Sequence, residues 1–233
     1  MLTEPFSAPG SPGGRFAPRE SDLFGAATRE FDLIDPEIAR YAGNGCVLEV
    51  RAANSLPRRM DVLNMRTAFY EPTLTRLGVS TWDAYDERAA VHLLCVEQGR
   101  PVGSIRVVHN AGEGTELHDD FGCPDDLVPR QGRPFVTFGR ELVVPHRRGA
   151  GISLVLVHAA CLWCRRYSEV DTLRVVSLCE RAEAVQRLGV RPLTEVLPLG
   201  PGRVPVVVLD GEVSHVFELA TRGLRAAGWS VAA

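Results

Sequence analysis

An α/β (α+β) fold, a mixed sheet with helices on both faces, is what this sequence predicts. Three observations point there. Residues Phe135 to Tyr167 read in direct succession as strand, glycine-rich turn and helix. Strand patterns outnumber helical ones before Phe135 and alternate with them afterwards. The chain has 233 residues, is 45% hydrophobic and contains no apolar run long enough to span a bilayer, so a soluble globular protein is expected.

Taken in order, residues 1–30 are rich in Pro, Gly, Ser and Ala without an apolar period, which predicts a flexible arm ahead of a single domain over 31–233. Phe31 to Tyr41 reads as a short helix entered at Asp35-Pro36. After Gly43-Asn44-Gly45, Cys46 to Ala53 reads as the first strand. Ser55 caps a helix whose Leu56, Met60, Leu63, Thr67 and Tyr70 recur four and three apart, and Pro72 should end it. Arg66 lies on or beside that apolar face, where a charge calls for a carboxylate or a ligand. Trp82-Asp83-Ala84-Tyr85-Asp86 then presents two acids and two aromatics on a loop.

Ala90 to Val96 and Pro101 to His109 are paired as a hairpin about Gln98-Gly99-Arg100. Ser104 and Arg106 share one face of its second strand, because side chains alternate. Residues 110–134 form a long loop, of a length more often functional than filler. Beyond the central unit come a strand at Thr172 to Leu178, a helix from Glu180 to Leu188 stopped by Gly189, and a strand at Val204 to Leu209. A last helix is marked by Val213, Val216, Phe217, Ala220 and Leu224 and ends near Gly228.

The central unit carries the chemistry. Its strand, FVTFGRELVVP, is dominated by β-branched and aromatic residues and closes at Pro145. Its helix places Ile152, Val155, Leu156, Ala159, Leu162 and Trp163 at helical spacing. A helix that begins at glycines leaves its first amides unpaired, and phosphate is their natural guest. Gly149 and Gly151 let backbone approach an anion, and Arg148 adds a fixed charge at the same end. The competing reading is an ordinary tight turn into a core helix.

Composition narrows the classes. The 26 basic residues stand against 29 acidic ones, a net charge of −3 that does not suggest a nucleic-acid binder. Glu113, Glu116, Asp119, Asp120, Asp125 and Asp126 form an acidic loop, followed by Arg130, Arg133, Arg140, Arg147 and Arg148. Such runs are usually solvated faces, although a basic rim would also suit an acidic carrier protein. All 26 basic residues are arginine, which excludes lysine Schiff-base chemistry. Six scattered cysteines with no leader before them point to a reducing cytoplasm, and Cys161 and Cys164 read as small core residues of the central helix. His92, His118 and His158 lack metal spacing, so no metal is expected.

The segment Arg148-Gly149-Ala150-Gly151-Ile152-Ser153 resembles the pyrophosphate-binding turn of the GNAT superfamily of acyl-CoA N-acyltransferases, with Ser153 departing from the usual Gly or Ala. The resemblance implies a mostly antiparallel central sheet and a pantetheine-bearing donor, either an acyl-CoA or an acyl-phosphopantetheine on an acyl carrier protein. From Arg66 to Ser153 the chain further resembles the acyl-homoserine-lactone (autoinducer) synthases and the related N-acyl amino acid synthases. The matching residues are Arg66 and Tyr70 four apart, Asp83 and Asp86, Gly103-Ser104-Ile105-Arg106, and Arg140 five before Pro145. In that family such arginines and acids tie an amino-terminal helix to the sheet and help bind the amine. A purely structural ion-pair network would look the same.

Two departures matter. Thr137 stands where autoinducer synthases commonly carry glutamate, which weakens S-adenosylmethionine as acceptor. Val185 stands where many GNAT enzymes place the tyrosine that protonates the departing thiolate. The N-acyl amino acid synthases are the better match. The expected reaction moves a medium- or long-chain acyl group to a small amino-acid-like amine. The strand Val136 to Val144 is expected to pair with the pantetheine amides, at Val143 and Val144 among others, while the turn over Arg148 to Ser153 holds the phosphate and the amine enters beside Asp83, Asp86 and Arg106. Tyr70, Trp82, Ser104 and Phe138 are the substrate-contact candidates, and the base stays open among Glu141, Asp86 and solvent. The alternatives are a coenzyme A-dependent acetyltransferase on a small amine or peptide, and a non-catalytic thioester-binding domain.

Overall fold

A computed structural model of the chain describes residues 34–110, 116–119, 121–123, 125, 133–199 and 201–232. The predicted arm and most of the 110–134 loop lie outside the described residues. Ten strands form one sheet in the order β10-β1-β2-β3-β4-β5-β6-β9-β7, with β8 on β9. They are β1 (Glu37–Gly43), β2 (Cys46–Ala52), β3 (Ala90–Glu97), β4 (Arg100–Asn110), β5 (Phe135–Val143), β6 (Thr172–Leu178), β7 (Arg191–Pro192), β8 (Leu197–Leu199), β9 (Val204–Glu212) and β10 (Trp229–Ala232). The helices are α1 (Leu56–Phe69), α2 (Glu71–Leu77), α3 (Ala84–Arg88), α4 (Glu116–Asp119), α5 (Ile152–Tyr167), α6 (Cys179–Gln186) and α7 (Val213–Ala226). Every strand pair is antiparallel except β5 with β6. The sheet is therefore mixed and mostly antiparallel, as expected. None of the described helices is long and apolar enough to cross a membrane.

Alternation along β4 decides which helix lies on which face. A Cβ on Gly103 would meet the Leu156 and Ile152 side chains of α5, so that face belongs to the central helix. Arg106, of opposite parity, reaches Asp83 and Asp86 at the start of α3, so α3 and the end of α1 cover the other face. Ser104 and Arg106 do share that second face, and both are fully buried.

Several readings are corrected. Phe31 to Tyr41 is not a helix: its described part holds β1, which pairs with both β2 and β10. Asp35 serves the next helix instead, its carboxylate accepting from the Asn54 and Ser55 amides at 2.8 Å. The first predicted strand is consequently the second, joined to β1 by an Asn44-Gly45 turn with φ of 51° and 75°, as a tight hairpin requires. The helix entered at Ser55 does end ahead of Pro72, at Phe69, and Pro72 then sits in the first turn of α2, where its missing N–H costs nothing.

The helix α1 is rotated from its expected register. Val62, Met65 and Arg66 are buried, whereas Leu56 and Met60 are exposed. Asp83 to Asp86 is no loop either. Asp83 is the N-cap of α3, with a capping box in which the Asp86 carboxylate accepts in turn from the Asp83 amide at 2.8 Å.

Candidate active site

The turn after β5 begins with a 3₁₀ segment, Pro145–Arg147, and passes through Arg148-Gly149-Ala150-Gly151 into α5. Gly149 and Gly151 have φ of 81° and 78°, a region where a side chain is strained. Gly149 faces open space, with nothing within 4 Å of where a Cβ would stand. Gly151 is the N-cap of α5 and offers no side-chain acceptor, and the helix makes its first backbone bond from the Val155 amide to the Gly151 carbonyl at 3.2 Å. The amides of Ile152, Ser153 and Leu154 are left for a ligand or solvent. Arg148 donates from Nε to the Val143 carbonyl at 3.3 Å, which ties the side chain back to the end of β5.

A residue that sequence reasoning passed over braces this turn. Trp229, at the start of β10, donates from Nε1 to the Ala150 carbonyl at 3.0 Å. Its ring nitrogen lies 2.9 Å from where a Gly151 Cβ would be. Gly151 is thus required twice, by its dihedral and by the indole against it.

Strands β5 and β6 separate just beyond their start. They pair only at Val136 with Leu173 and Thr137 with Arg174. Against β4, β5 gains one extra residue: Arg106 pairs with Gly139 but Ser104 with Leu142. That bulge holds Arg140 at φ 53°, in the left-handed region uncommon for a side chain-bearing residue. Below the split lies a cavity of about 430 Å³. Its apolar walls include Leu74, Leu77, Phe138, Val175, Val176 and Val206, and its polar lining includes Tyr70, Arg140, Glu141, Arg148 and Ser153. Glu141 accepts from the Ser153 hydroxyl at 2.8 Å, which joins the bulge to the first turn of α5.

Behind the bulge sits a buried charge network. Asp83 accepts from Arg106 at 2.6 Å and from Arg140 at 2.8 Å. Asp86 accepts from Arg66 at 2.9 Å and lies 3.1 Å from Arg106. Arg140 also donates to the Ser80 carbonyl at 2.7 Å, and Arg66 lies 3.2 Å from His92 Nδ1. Burial alone would raise both carboxyls, but Arg106 and Arg140 hold Asp83 well below the usual carboxylate range, and Arg66 and Arg106 lower Asp86 as well. Burial, reinforced by Arg66, pushes His92 down to about 3, so the imidazole is neutral. Arg66, fully buried, is lowered to about 10 by that burial and remains charged.

The structure therefore splits the residues singled out from sequence. Tyr70, Phe138, Arg140, Glu141, Val143, Arg148 and Ser153 line one cavity, with Gly149, Ala150 and Gly151 in the turn at its mouth. Val144 and Ile152 are core residues. Arg66, Asp83, Asp86, Arg106 and Ser104 are brought together under the sheet and do not line the cavity; Arg140 is the network's member that reaches it. Trp82 packs on His92 at 4.9 Å between ring centres, beneath the Arg59 and Arg66 cations. Arg76 and Arg181, which sequence did not mark, line the cavity from α2 and α6.

No family model and no curated protein sequence matches the chain. Solved structures do. The fold is similar to that of FeeM, an N-acyl amino acid synthase from uncultured soil microbes, with a TM-score of 0.57 at 11% identity over 72% of this chain and 92% of that one. The AHL synthase LasI gives a TM-score of 0.57 at 16% identity, over 79% of this chain and 96% of that one. BjaI, a CoA-dependent acyl-homoserine lactone synthase whose structure holds SAM and isopentyl-CoA, gives 0.52 at 20% identity, over 72% and 79%. At these identities the likeness establishes the fold that these proteins share and nothing further.

Proposed function

We propose that a chain with this N-acyltransferase fold is itself an N-acyltransferase, moving a medium- or long-chain acyl group from a coenzyme A or carrier-protein thioester to the amine of an amino-acid-like acceptor. One observation carries the reading: the uncapped turn at Arg148 to Ser153 opens onto the split between β5 and β6, and the split leads to a cavity with apolar walls. In this reading the turn amides and Arg148 hold the donor's phosphate. The edge of β5 released after Thr137 offers backbone groups to the pantetheine amides. The acyl chain lies along Phe138, Val175 and Val176.

Transfer forms a bond from the acceptor nitrogen to the thioester carbon and breaks the carbon–sulfur bond. The thiolate leaves and takes up a proton as the nitrogen loses one. Glu141 is the better placed of the two candidate carboxylates to accept that proton, because it lines the cavity and Asp86 does not. Asp86 is also the poorer base, held in its ionised form by Arg66 and Arg106. The buried network then acts through position, fixing Arg140 and the bulge on which Glu141 sits. A cavity of this volume favours a long acyl group over the acetyl alternative.

The test is direct. Purified protein is given octanoyl-CoA or an octanoyl carrier protein with a panel of amino acids, while free thiol and the amide product are followed. Release of thiol with matching amide is expected, and no product above background from any pair ends the reading.

A further inference from the structure

Glu141 is half-buried beside the bulge of β5, and its carboxylate has one hydrogen-bond partner among the described residues, the Ser153 hydroxyl at 2.8 Å. Arg76, Arg148 and Arg181 line the same cavity, yet Glu141 forms an ion pair with none of them. Ser153 is the second residue of α5, and its amide is one of the three at the start of that helix that no described residue accepts from. A carboxylate bonded to this hydroxyl stands within the first turn of the helix, where the dipole favours negative charge. Glu141 therefore lends its charge to the same turn on which the proposed donor sets its phosphate.

Two anions within one helical turn repel each other, and of the two the carboxylate is the one free to move. Its unbranched side chain swings while the bulge beneath stays fixed by the Arg140 bonds to Asp83 and to the Ser80 carbonyl. We propose that Ser153 is a positioning residue: its hydroxyl holds Glu141 at the end of α5, and a donor phosphate on the turn drives the carboxylate off it and into the cavity, where it serves as the base. The donor then binds first, and the base is released once the thioester is in place. Glycine or alanine at position 153 would offer no hydroxyl to hold the carboxylate. The inference rests on the acyltransferase reading and adds to it a coupling between donor binding and proton acceptance.

The test compares a donor with its phosphates and one without. Coenzyme A and pantetheine are titrated by calorimetry into the wild type, Glu141→Gln, Ser153→Ala and the double variant. Glu141→Gln should raise the affinity ratio of coenzyme A to pantetheine at least threefold, because the charge opposing the phosphate is gone. Ser153→Ala should raise it too, and the double variant should gain no more than Glu141→Gln alone, since both changes undo one contact. In turnover with octanoyl-CoA and octanoyl-pantetheine, Ser153→Ala should raise the kcat ratio of the pantetheine ester to the coenzyme A ester at least threefold, because the base no longer waits for a phosphate. An unchanged or lower affinity ratio in Glu141→Gln overturns the proposal, as do additive gains in the double variant or a kcat ratio that Ser153→Ala leaves where it was. Each of these outcomes leaves the acyltransferase reading standing. No coenzyme A binding, or no turnover by any of the four proteins, ends that reading and this proposal with it.

Discussion

The Asp83 carboxylate accepts a hydrogen bond from Arg140 at 2.8 Å, while its other oxygen caps α3 by accepting from the Tyr85 and Asp86 amides. A single side chain thereby links the start of a helix to the bulge that splits the sheet. Arg140 holds an unfavourable dihedral there, and both ends of its guanidinium are engaged, by Asp83 and by the Ser80 carbonyl. Strain of about 1–3 kcal/mol at such a residue persists only where its surroundings over-determine it.

Asp83→Asn should therefore cost more than a surface change. It removes the charge that Arg106 and Arg140 share at Asp83 and leaves Arg106 to Asp86 at 3.1 Å, a loss of about 3–5 kcal/mol from breaking a buried ion-pair network. Urea unfolding should show the midpoint falling accordingly. A change below about 1 kcal/mol would mean that the network contributes little to holding the bulge.

The bond from Trp229 to Ala150 ties the last described strand to the glycine turn that leads into α5. Trp229→Phe keeps most of the packing and deletes the donor, so stability should fall by only about 1 kcal/mol. Coenzyme A affinity should drop about tenfold, equivalent to about 1.4 kcal/mol, because the turn loses its brace. Calorimetric titration reads this directly. Unchanged affinity in a folded variant would show that the turn keeps its shape without the indole.

How much of this was legible in the chain depends on whether local chemistry or distant contacts decide. The turn was legible, since Gly149 and Gly151 following a β-rich run leave few conformations open. The partnership of three arginines with Asp83 and Asp86 was legible too, because buried charges need counter-charges and few were at hand. The strand β1 was not. Asp35-Pro36 imitates a helix start, and a register shift between Glu37 and Ala39 breaks the alternation that marks a strand. The face of α1 was misread because Leu56 and Met60 fit the apolar period, yet the burial of Arg66 against Asp86 turns Val62 and Met65 inward. Trp229 gave no signal, as its role lies in a contact with a residue 79 positions away.

Acid should weaken the fold in two stages. Burial lowers the folded-state values of His92 to about 3 and of His158 to about 4, below the ordinary value of about 6.5. A histidine depressed in this way takes up its proton in the unfolded chain first, so its contribution is complete above about pH 6.5 and is lost as pH falls toward those values. Asp83 and Asp86, also depressed, contribute above about pH 4 and fail below it. Between pH 6 and 4 the two histidines together should give a slope approaching 3 kcal/mol per pH unit, about 1.4 from each. His158 bonds Tyr41 at 2.9 Å, and His158→Gln should roughly halve that slope. Urea midpoints measured from pH 7 to 4 decide it, and a flat profile would contradict the buried, neutral state of both rings.

Chain-length preference should respond to the split itself. Val175 follows the last residue of β6 that pairs with β5 and lines the cavity, so it stands where the two strands begin to part. Val175→Phe adds a ring there at an overpacking cost of about 1–3 kcal/mol. If acyl groups lie along this wall, the loss in kcat/KM should grow with chain length, reaching at least tenfold for dodecanoyl-CoA and staying within about twofold for acetyl-CoA. The gradient is what matters, because general damage to the fold would depress every donor alike. A uniform loss from acetyl to dodecanoyl would move the acyl chain away from the cleft between β5 and β6.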